Sequence, residues 1–211
     1  EKKSVTETDY AIFNVIADIH LTKKLTFTAK GDYQMTNRRT LSYAKAGLHG
    51  ETDTNGGYAD IGNTKSRRWS NEDYFTYADS WFDDQLKSNF VLGASWYYNH
   101  SSAGSEQFFD DFFGYHNLGA GTVYHKPSSG MSQQTMNSYY FRMNHTFRDK
   151  YLLGFTLRAD GASNFGANNK YGWFPSASAA WIISEEPFFD AARKWVSNLK
   201  LRASYGTVGN A

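Results

Sequence analysis

The architecture turns on Tyr151-Leu152-Leu153-Gly154-Phe155-Thr156-Leu157-Arg158-Ala159-Asp160. Tyr151, Leu153, Phe155 and Leu157 fall on one side at a spacing of two; Leu152, Gly154, Thr156, Arg158 and Asp160 fall on the other. Successive side chains of a β-strand point to opposite faces, so this is a strand with one oily face and one charge-bearing face. Its length matches the ~9–11 residues with which a tilted strand crosses a bilayer.

The pattern recurs on both sides of it. In residues 198–206, Leu199, Leu201, Ala203 and Tyr205 oppose Lys200, Arg202, Ser204 and Gly206. In residues 25–34, Leu25, Phe27, Ala29 and Tyr33 oppose Thr26, Thr28, Lys30, Asp32 and Gln34. In residues 138–148, Tyr139, Phe141, Met143 and Phe147 oppose Tyr140, Arg142, Asn144 and Thr146. Segments 9–20, 72–82, 88–100 and 173–184 alternate less regularly; Ile12 and Ile16 blur the first, and Asp79 intrudes on the apolar face of the second. Eight strands are expected. Only residues 187–196, with Phe188, Phe189, Ala192 and Trp195, hold a helical stripe.

The links alternate too. Residues 21–24, 83–87 and 148–150 are short connections, while 35–71, 101–137 and 161–172 are long and rich in Gly, Asn and Ser. Short turns on one side and long loops on the other are the topology of an outer-membrane barrel. Residues 185–197 make a mid-length exception on the short side. Tyr and Trp near strand ends suit the rims of a bilayer, where amphipathic rings settle.

Composition agrees. Among 211 residues, 16 Phe, 15 Tyr and 6 Trp outnumber Leu, Ile and Val together, the reverse of a soluble core. No run approaches the ~18 apolar residues of a membrane-spanning helix. With no Cys there is neither a disulfide framework nor a thiolate metal site. A net charge of +1 lacks the footprint of a nucleic-acid binder. Glu1-Lys2-Lys3 opens on charge with no apolar stretch behind it, so residue 1 is expected either to follow a cleaved signal or to lie inside a longer polypeptide. A soluble β-sandwich would alternate as well, but its charged face would be the solvated exterior; the recurrence of Lys, Arg and Asp in mid-strand, with the loop asymmetry, favours a wide barrel with a wet interior.

Residues 150–210 are the most specific part. They contain Lys150-Tyr151-Leu152-Leu153-Gly154-Phe155-Thr156-Leu157-Arg158-Ala159-Asp160-Gly161-Ala162-Ser163-Asn164-Phe165-Gly166, then Tyr171-Gly172-Trp173-Phe174-Pro175-Ser176-Ala177-Ser178-Ala179-Ala180-Trp181. Ile183-Ser184-Glu185-Glu186, Trp195, Leu199-Lys200-Leu201-Arg202-Ala203-Ser204-Tyr205-Gly206 and Gly209-Asn210 follow in order. This stretch resembles the barrel of the SusC/RagA family, TonB-dependent outer-membrane transporters of Bacteroidetes. It departs where the family commonly has Ser-Ser-Arg-Phe-Gly, having Ala162-Ser163-Asn164-Phe165-Gly166, at Ile182, and at Lys170-Tyr171. The first 149 residues match by strand–turn rhythm.

The resemblance implies an all-β, antiparallel transmembrane barrel, of which this chain supplies about eight of 22 strands around a plugged lumen. Residues 1–211 are then part of a barrel domain, with the plug and TonB-contacting segment outside the chain. The implied function is TonB-energised import of glycans or peptides, with a SusD-like lipoprotein as lid. The implied partners are the rest of the barrel and plug, that lipoprotein, TonB and outer-membrane lipid.

Candidate side chains follow from the faces. Arg142, Arg158, Asp160, Lys200 and Arg202 lie on the polar face and are candidates to line the lumen; Arg158 and Asp160, two apart, can pair along the wall. Phe112, Tyr115, His116 and Tyr124, in the aromatic link 101–137, are candidates to touch ligand or lid. Pro175 cannot donate to a ladder and is expected at a strand's entry or at a bulge. His20, His49, His100, His116, His125 and His145 have no ligand spacing, so no metal is expected. Gly119-Ala120-Gly121 lacks the context of a phosphate loop, no nucleophile–base arrangement stands out, and neither a cofactor nor an enzymatic activity is expected. The alternative function is a stand-alone eight-stranded outer-membrane barrel acting as anchor or adhesin.

Overall fold

A computed structural model describes residues 2–45, 57–109, 123–166 and 170–208. Its strands are β1 (Lys2–His20), β2 (Leu25–Lys45), β3 (Gly57–Trp81), β4 (Leu86–Phe109), β5 (Val123–Tyr124), β6 (Ser128–Phe147), β7 (Tyr151–Ala162), β8 (Tyr171–Ile182) and β9 (Lys200–Gly206). They form one sheet in the order β1-β2-β3-β4-β6-β7-β8-β9, with the two-residue β5 paired to β4. β6, β7, β8 and β9 pair antiparallel in succession. The eight expected strands are present. Strand order follows chain order because each short turn returns the chain beside itself.

Two of those turns share one chemistry. Gln85 N–H donates to the Phe82 carbonyl (3.1 Å), and Lys150 N–H to the Phe147 carbonyl (3.1 Å). Asp83 and Asp84 have φ of 52° and 63°, Arg148 and Asp149 of 52° and 55°. Positive φ at both central residues marks the turn whose twist matches flanking strands. In the first connection the Thr22 hydroxyl instead accepts from Lys24 N–H (3.1 Å) and Leu25 N–H (3.0 Å).

The strands outrun their apolar stretches. The expected link 35–71 is narrowed by β2 reaching Lys45 and β3 starting at Gly57; the link 101–137 is narrowed by β4 and β6. Beyond the alternating stretch, β2 carries Thr36-Asn37-Arg38-Arg39 and β3 carries Asn63-Thr64-Lys65. A ladder is bonded through its backbone and continues where the side chains are polar on both faces, but the hydrophobic period that reveals it is gone.

The chain divides into two compact units. One comprises Glu1–Phe13, Asp32–Trp69 and Tyr98–Gln134; the other comprises Asn14–Gly31, Ser70–Tyr97 and Thr135–Ala211. In the first, Ala59 and Ile61 are buried against Leu41 and Tyr43. In the second, the buried side chains include Thr28, Ser88, Ser138, Tyr140, Ala159 and Phe189. Half of these are polar. Large apolar side chains instead stand exposed, among them Leu92, Leu153, Trp173, Leu201 and Tyr205. All the described strands join a single sheet, so no second sheet packs on those rings as a sandwich requires.

Two local expectations are corrected. Residues 187–196 are not one α-helix: 3₁₀ turns span Ile183–Glu185 and Pro187–Phe189, followed by isolated helical bonds such as Arg193 N–H to the Phe189 carbonyl (3.2 Å). So short a segment is marginal as an α-helix unless its apolar face is packed, and here Phe188 and Trp195 are exposed. Pro175 lies inside β8, as its fifth residue and in unbroken register with β7, rather than at a strand's entry or a bulge. Its carbonyl accepts from Thr207 N–H (3.1 Å), so its nitrogen also faces the β9 side, beyond the last β8–β9 pair at Ser176 and Gly206. The reciprocal bond to Thr207 has no donor, and the β8–β9 pairing ends there.

Candidate functional site

The polar face of the second unit gathers charge from four strands. Lys30 of β2 lies 3.7 Å from Glu72 of β3, with its ammonium 4.9 Å from the Tyr74 ring centroid. Tyr140 of β6 donates its hydroxyl to the other Glu72 oxygen (2.7 Å), across the intervening strand β4. Opposite Tyr140 in the β6–β7 ladder stands Arg158, whose guanidinium lies 6.0 Å from the Tyr140 ring centroid. Arg158 Nε donates to both Asp160 oxygens (2.6 and 2.9 Å), and its Nη2 to Ser138 Oγ (2.9 Å). Arg158 and Asp160 thus pair along the strand. Period-two spacing puts them on one face, and the register brings Ser138 opposite Asp160.

Lys30, Glu72, Tyr74, Val91, Tyr140, Arg142, Thr156 and Arg158 line a cavity of about 250 Å³. Arg142 is exposed, opposite Thr156, without the tethering that Arg158 receives. Lys200 and Arg202 stand apart from this cluster: they pair with Ile182 and Ala180 and line a groove of about 510 Å³ with Asn144, Gly154 and Ser204. The structure therefore joins Arg142, Arg158 and Asp160 at one place, and Lys200 with Arg202 at another. Lys30, Glu72, Tyr74 and Tyr140 were absent from the sequence-derived candidates. Alternation places Lys30 on a polar face, but the register that brings Glu72 to it has no local signal.

The opposite face is aromatic. Phe27 packs on Phe75 at 4.9 Å between centroids, Tyr77 on Phe90 at 6.4 Å, and Phe90 on Phe141 at 6.4 Å. At one margin of this face, His145 meets Phe90 edge-on (5.4 Å) and shares a 2.7 Å hydrogen bond with Ser88. His145 is occupied by that bond, and His20 by Thr26 (2.9 Å).

Two carboxylates tie the short connections down. Lys24 lies 2.7 Å from Asp79, and that hydrogen bond raises the lysine's pKa against the opposing effect of burial. Glu186 accepts from the Tyr151 hydroxyl (2.6 Å), Lys150 Nζ (3.1 Å) and Trp181 Nε1 (3.1 Å). The bond from Tyr151, followed by those from Lys150 and Trp181, holds the Glu186 carboxyl below its ordinary value.

Of the loop candidates, Tyr124 lies on β5, exposed, in register with Phe108. Phe112, Tyr115 and His116 lie outside the described residues. Among the described residues, no three His, Cys, Asp or Glu side chains are grouped to hold a metal ion, and no helix is long and apolar enough to cross a membrane.

Comparisons with known proteins agree with this sheet. The family model described as "TonB dependent receptor-like, beta-barrel" matches residues 4–211. TonB-dependent receptor P3 of Formosa agariphila is 32% identical over 205 residues, which is 95% of this chain and 19% of the relative. TonB-dependent receptor SusC of Bacteroides thetaiotaomicron is 40% identical over 78 residues, 37% of this chain and 8% of SusC. The solved RagAB peptide transporter superposes with a TM-score of 0.87 at 24% identity, over 99% of this chain and 23% of that one. This chain thus spans about a fifth of the length of the relatives it matches. An all-antiparallel sheet with one ionic and one aromatic face, matched by that family model over nearly every residue, has one consistent assignment: the chain belongs to the TonB-dependent receptor-like β-barrel family of the outer membrane.

Proposed function

We propose that the chain forms part of the wall of a TonB-energised nutrient importer, its aromatic face toward lipid and its ionic face toward the lumen. The observation that carries the reading is the segregation within one sheet. Leu92, Leu153 and Leu201 stand exposed on the face opposite Arg142, Arg158 and Arg202. Charge turned to hydrocarbon would cost about 2–4 kcal/mol at mid-depth, whereas a wet lumen accepts it. The short connections then lie on the periplasmic side and the long ones outside. β1 and β9 end the strand order, and the remaining wall strands would pair with them.

Cargo, on this reading, is a glycan or peptide admitted beneath a SusD-like lipoprotein and drawn inward by TonB acting on the plug. The likeness to RagAB, named as a peptide transporter, supports the peptide class; the likeness to SusC supports the partnered architecture. Disrupting the gene for the full-length protein should abolish growth on one glycan or oligopeptide supplied as sole source, and TonB-dependent uptake of it. Unchanged growth across both panels would reject import. In the full-length protein, a membrane-impermeant charged thiol reagent should reach Arg202→Cys and not Leu153→Cys. The reverse pattern would overturn the assignment of faces.

A further inference from the structure

Phe147, Tyr151, Trp181 and Phe188 form a ladder of rings, with successive centroids 6.3, 6.4 and 6.3 Å apart. The first three stand on the apolar face where β6 ends, β7 begins and β8 ends; the fourth belongs to the β8–β9 connection. Tyr151 and Trp181 both turn their polar tips to Glu186 in that connection. An apolar ring body with its donor turned to the wet side is how Tyr and Trp sit at a bilayer boundary.

Past the ladder the connection stays apolar on its outer side. Phe188 is 68% exposed and Trp195 is 90% exposed, while Phe189 is buried. Cations accompany these rings. Arg193, held by the Ser184 carbonyl (2.7 Å from Nη2), is paired with Asp190 (3.5 Å) and Glu185 (3.8 Å), while Lys194 is exposed and the Arg148 guanidinium lies 5.1 Å from the Phe147 ring centroid. Exposed rings beside basic residues, on a short segment continuous with an apolar wall, are the makings of an interfacial anchor.

We propose that residues 187–196 lie on the periplasmic leaflet of the outer membrane, Phe188 and Trp195 at the acyl boundary and Lys194 among the lipid phosphates. Phospholipid is the occupant because the ladder extends the lipid-facing surface without a break. The inference rests on the apolar face being the lipid face, and its test separates the two. In the full-length transporter, in phospholipid nanodiscs and a background otherwise free of cysteine, nitroxide labels are placed by Phe188→Cys, Trp195→Cys, Leu153→Cys and Arg202→Cys. Collision with oxygen is compared with collision with a water-soluble nickel chelate.

Labels at 188 and 195 should favour oxygen several-fold, like the label at 153 and unlike the one at 202. Nickel-dominated labels at 188 and 195, with 153 still oxygen-dominated, overturn the anchor and leave the wall assignment standing. Labels there inaccessible to both reagents mean a protein covering, which also overturns it. A nickel-dominated label at 153 defeats the wall assignment itself. Should a labelled variant fail to fold, brominated-lipid quenching of the unlabelled protein is compared with that of Trp195→Phe. Loss of a lipid-quenched emission component supports the anchor; identical quenched fractions reject it.

Discussion

The Tyr140 ring lies across Gly93 of the neighbouring strand, so closely that a β-carbon on Gly93 would stand 2.5 Å from Cζ and 2.6 Å from the hydroxyl. The missing side chain is what allows Tyr140 to cross β4 and reach Glu72 on β3. Room for the Tyr140 ring, rather than conformational freedom, is the reason for glycine here. Gly93→Ala should therefore lower the denaturation free energy of the folded barrel by about 1–3 kcal/mol through overpacking. Tyr140→Phe should cost about 0.5–1.5 kcal/mol, the net contribution of its bond to Glu72, whose carboxylate stays open to water. The double variant should lose less than the sum, because both act on the same contact. Guanidinium titration of the heat-modifiable band is the measurement, and additivity would contradict the shared contact.

Glu186 should make the β8–β9 connection acid-sensitive. Its folded carboxyl is held below the ordinary value of 4.5 by Tyr151, Lys150 and Trp181. A depressed carboxyl stabilises the folded form at pH above its unfolded value, and the contribution is lost as pH falls through the folded value. Proteolytic nicking of residues 183–199 should rise below about pH 4.5 in the native protein. Glu186→Gln should be nicked several-fold faster at neutral pH, with little further change on acidification. A pH response as steep in the Gln variant as in the native protein would assign the sensitivity elsewhere.

The two faces should respond oppositely to charge. Leu92 is 60% exposed on the aromatic face, and Leu92→Arg should cost about 2–4 kcal/mol in lipid-reconstituted protein. Ser204→Arg, on the polar face beside Arg202, should change stability by less than about 0.5 kcal/mol. Equal losses at the two positions in unfolding titrations would mean the faces are not in different solvents.

At the β3–β4 turn, Asp83 holds a φ of 52°, the left-handed region that disfavours a side chain. Asp83→Gly should therefore stabilise the hairpin by up to about 1 kcal/mol, less whatever glycine adds to the freedom of the unfolded chain. A rise in the denaturation midpoint is expected; a fall would mean that Asp83 contributes bonding beyond its backbone.

Much of the architecture could be read in the chain because alternation is a local property. Tyr151 to Asp160 and Leu199 to Gly206 display their two faces within ten residues, and the pairing of Arg158 with Asp160 needs only a spacing of two along one strand. The parts of β2 after residue 34 and of β3 before residue 72 carry no such signal, because polar residues on both faces erase the period while leaving backbone bonding intact. Lys30, Glu72 and Tyr140 are separated by long stretches of sequence, and the inward burial of Tyr140 depends on a glycine one strand away.

Period and motif order were thus enough to point to an antiparallel barrel sheet, to eight of its strands and to a family resemblance, because each is written within single strands or their succession. The meeting of Glu72 with Tyr140, the cavity beside Arg142, and the grip of Glu186 on Lys150, Tyr151 and Trp181 came only from folding. Register across strands is a relation between distant residues, and no single strand's alternation encodes it.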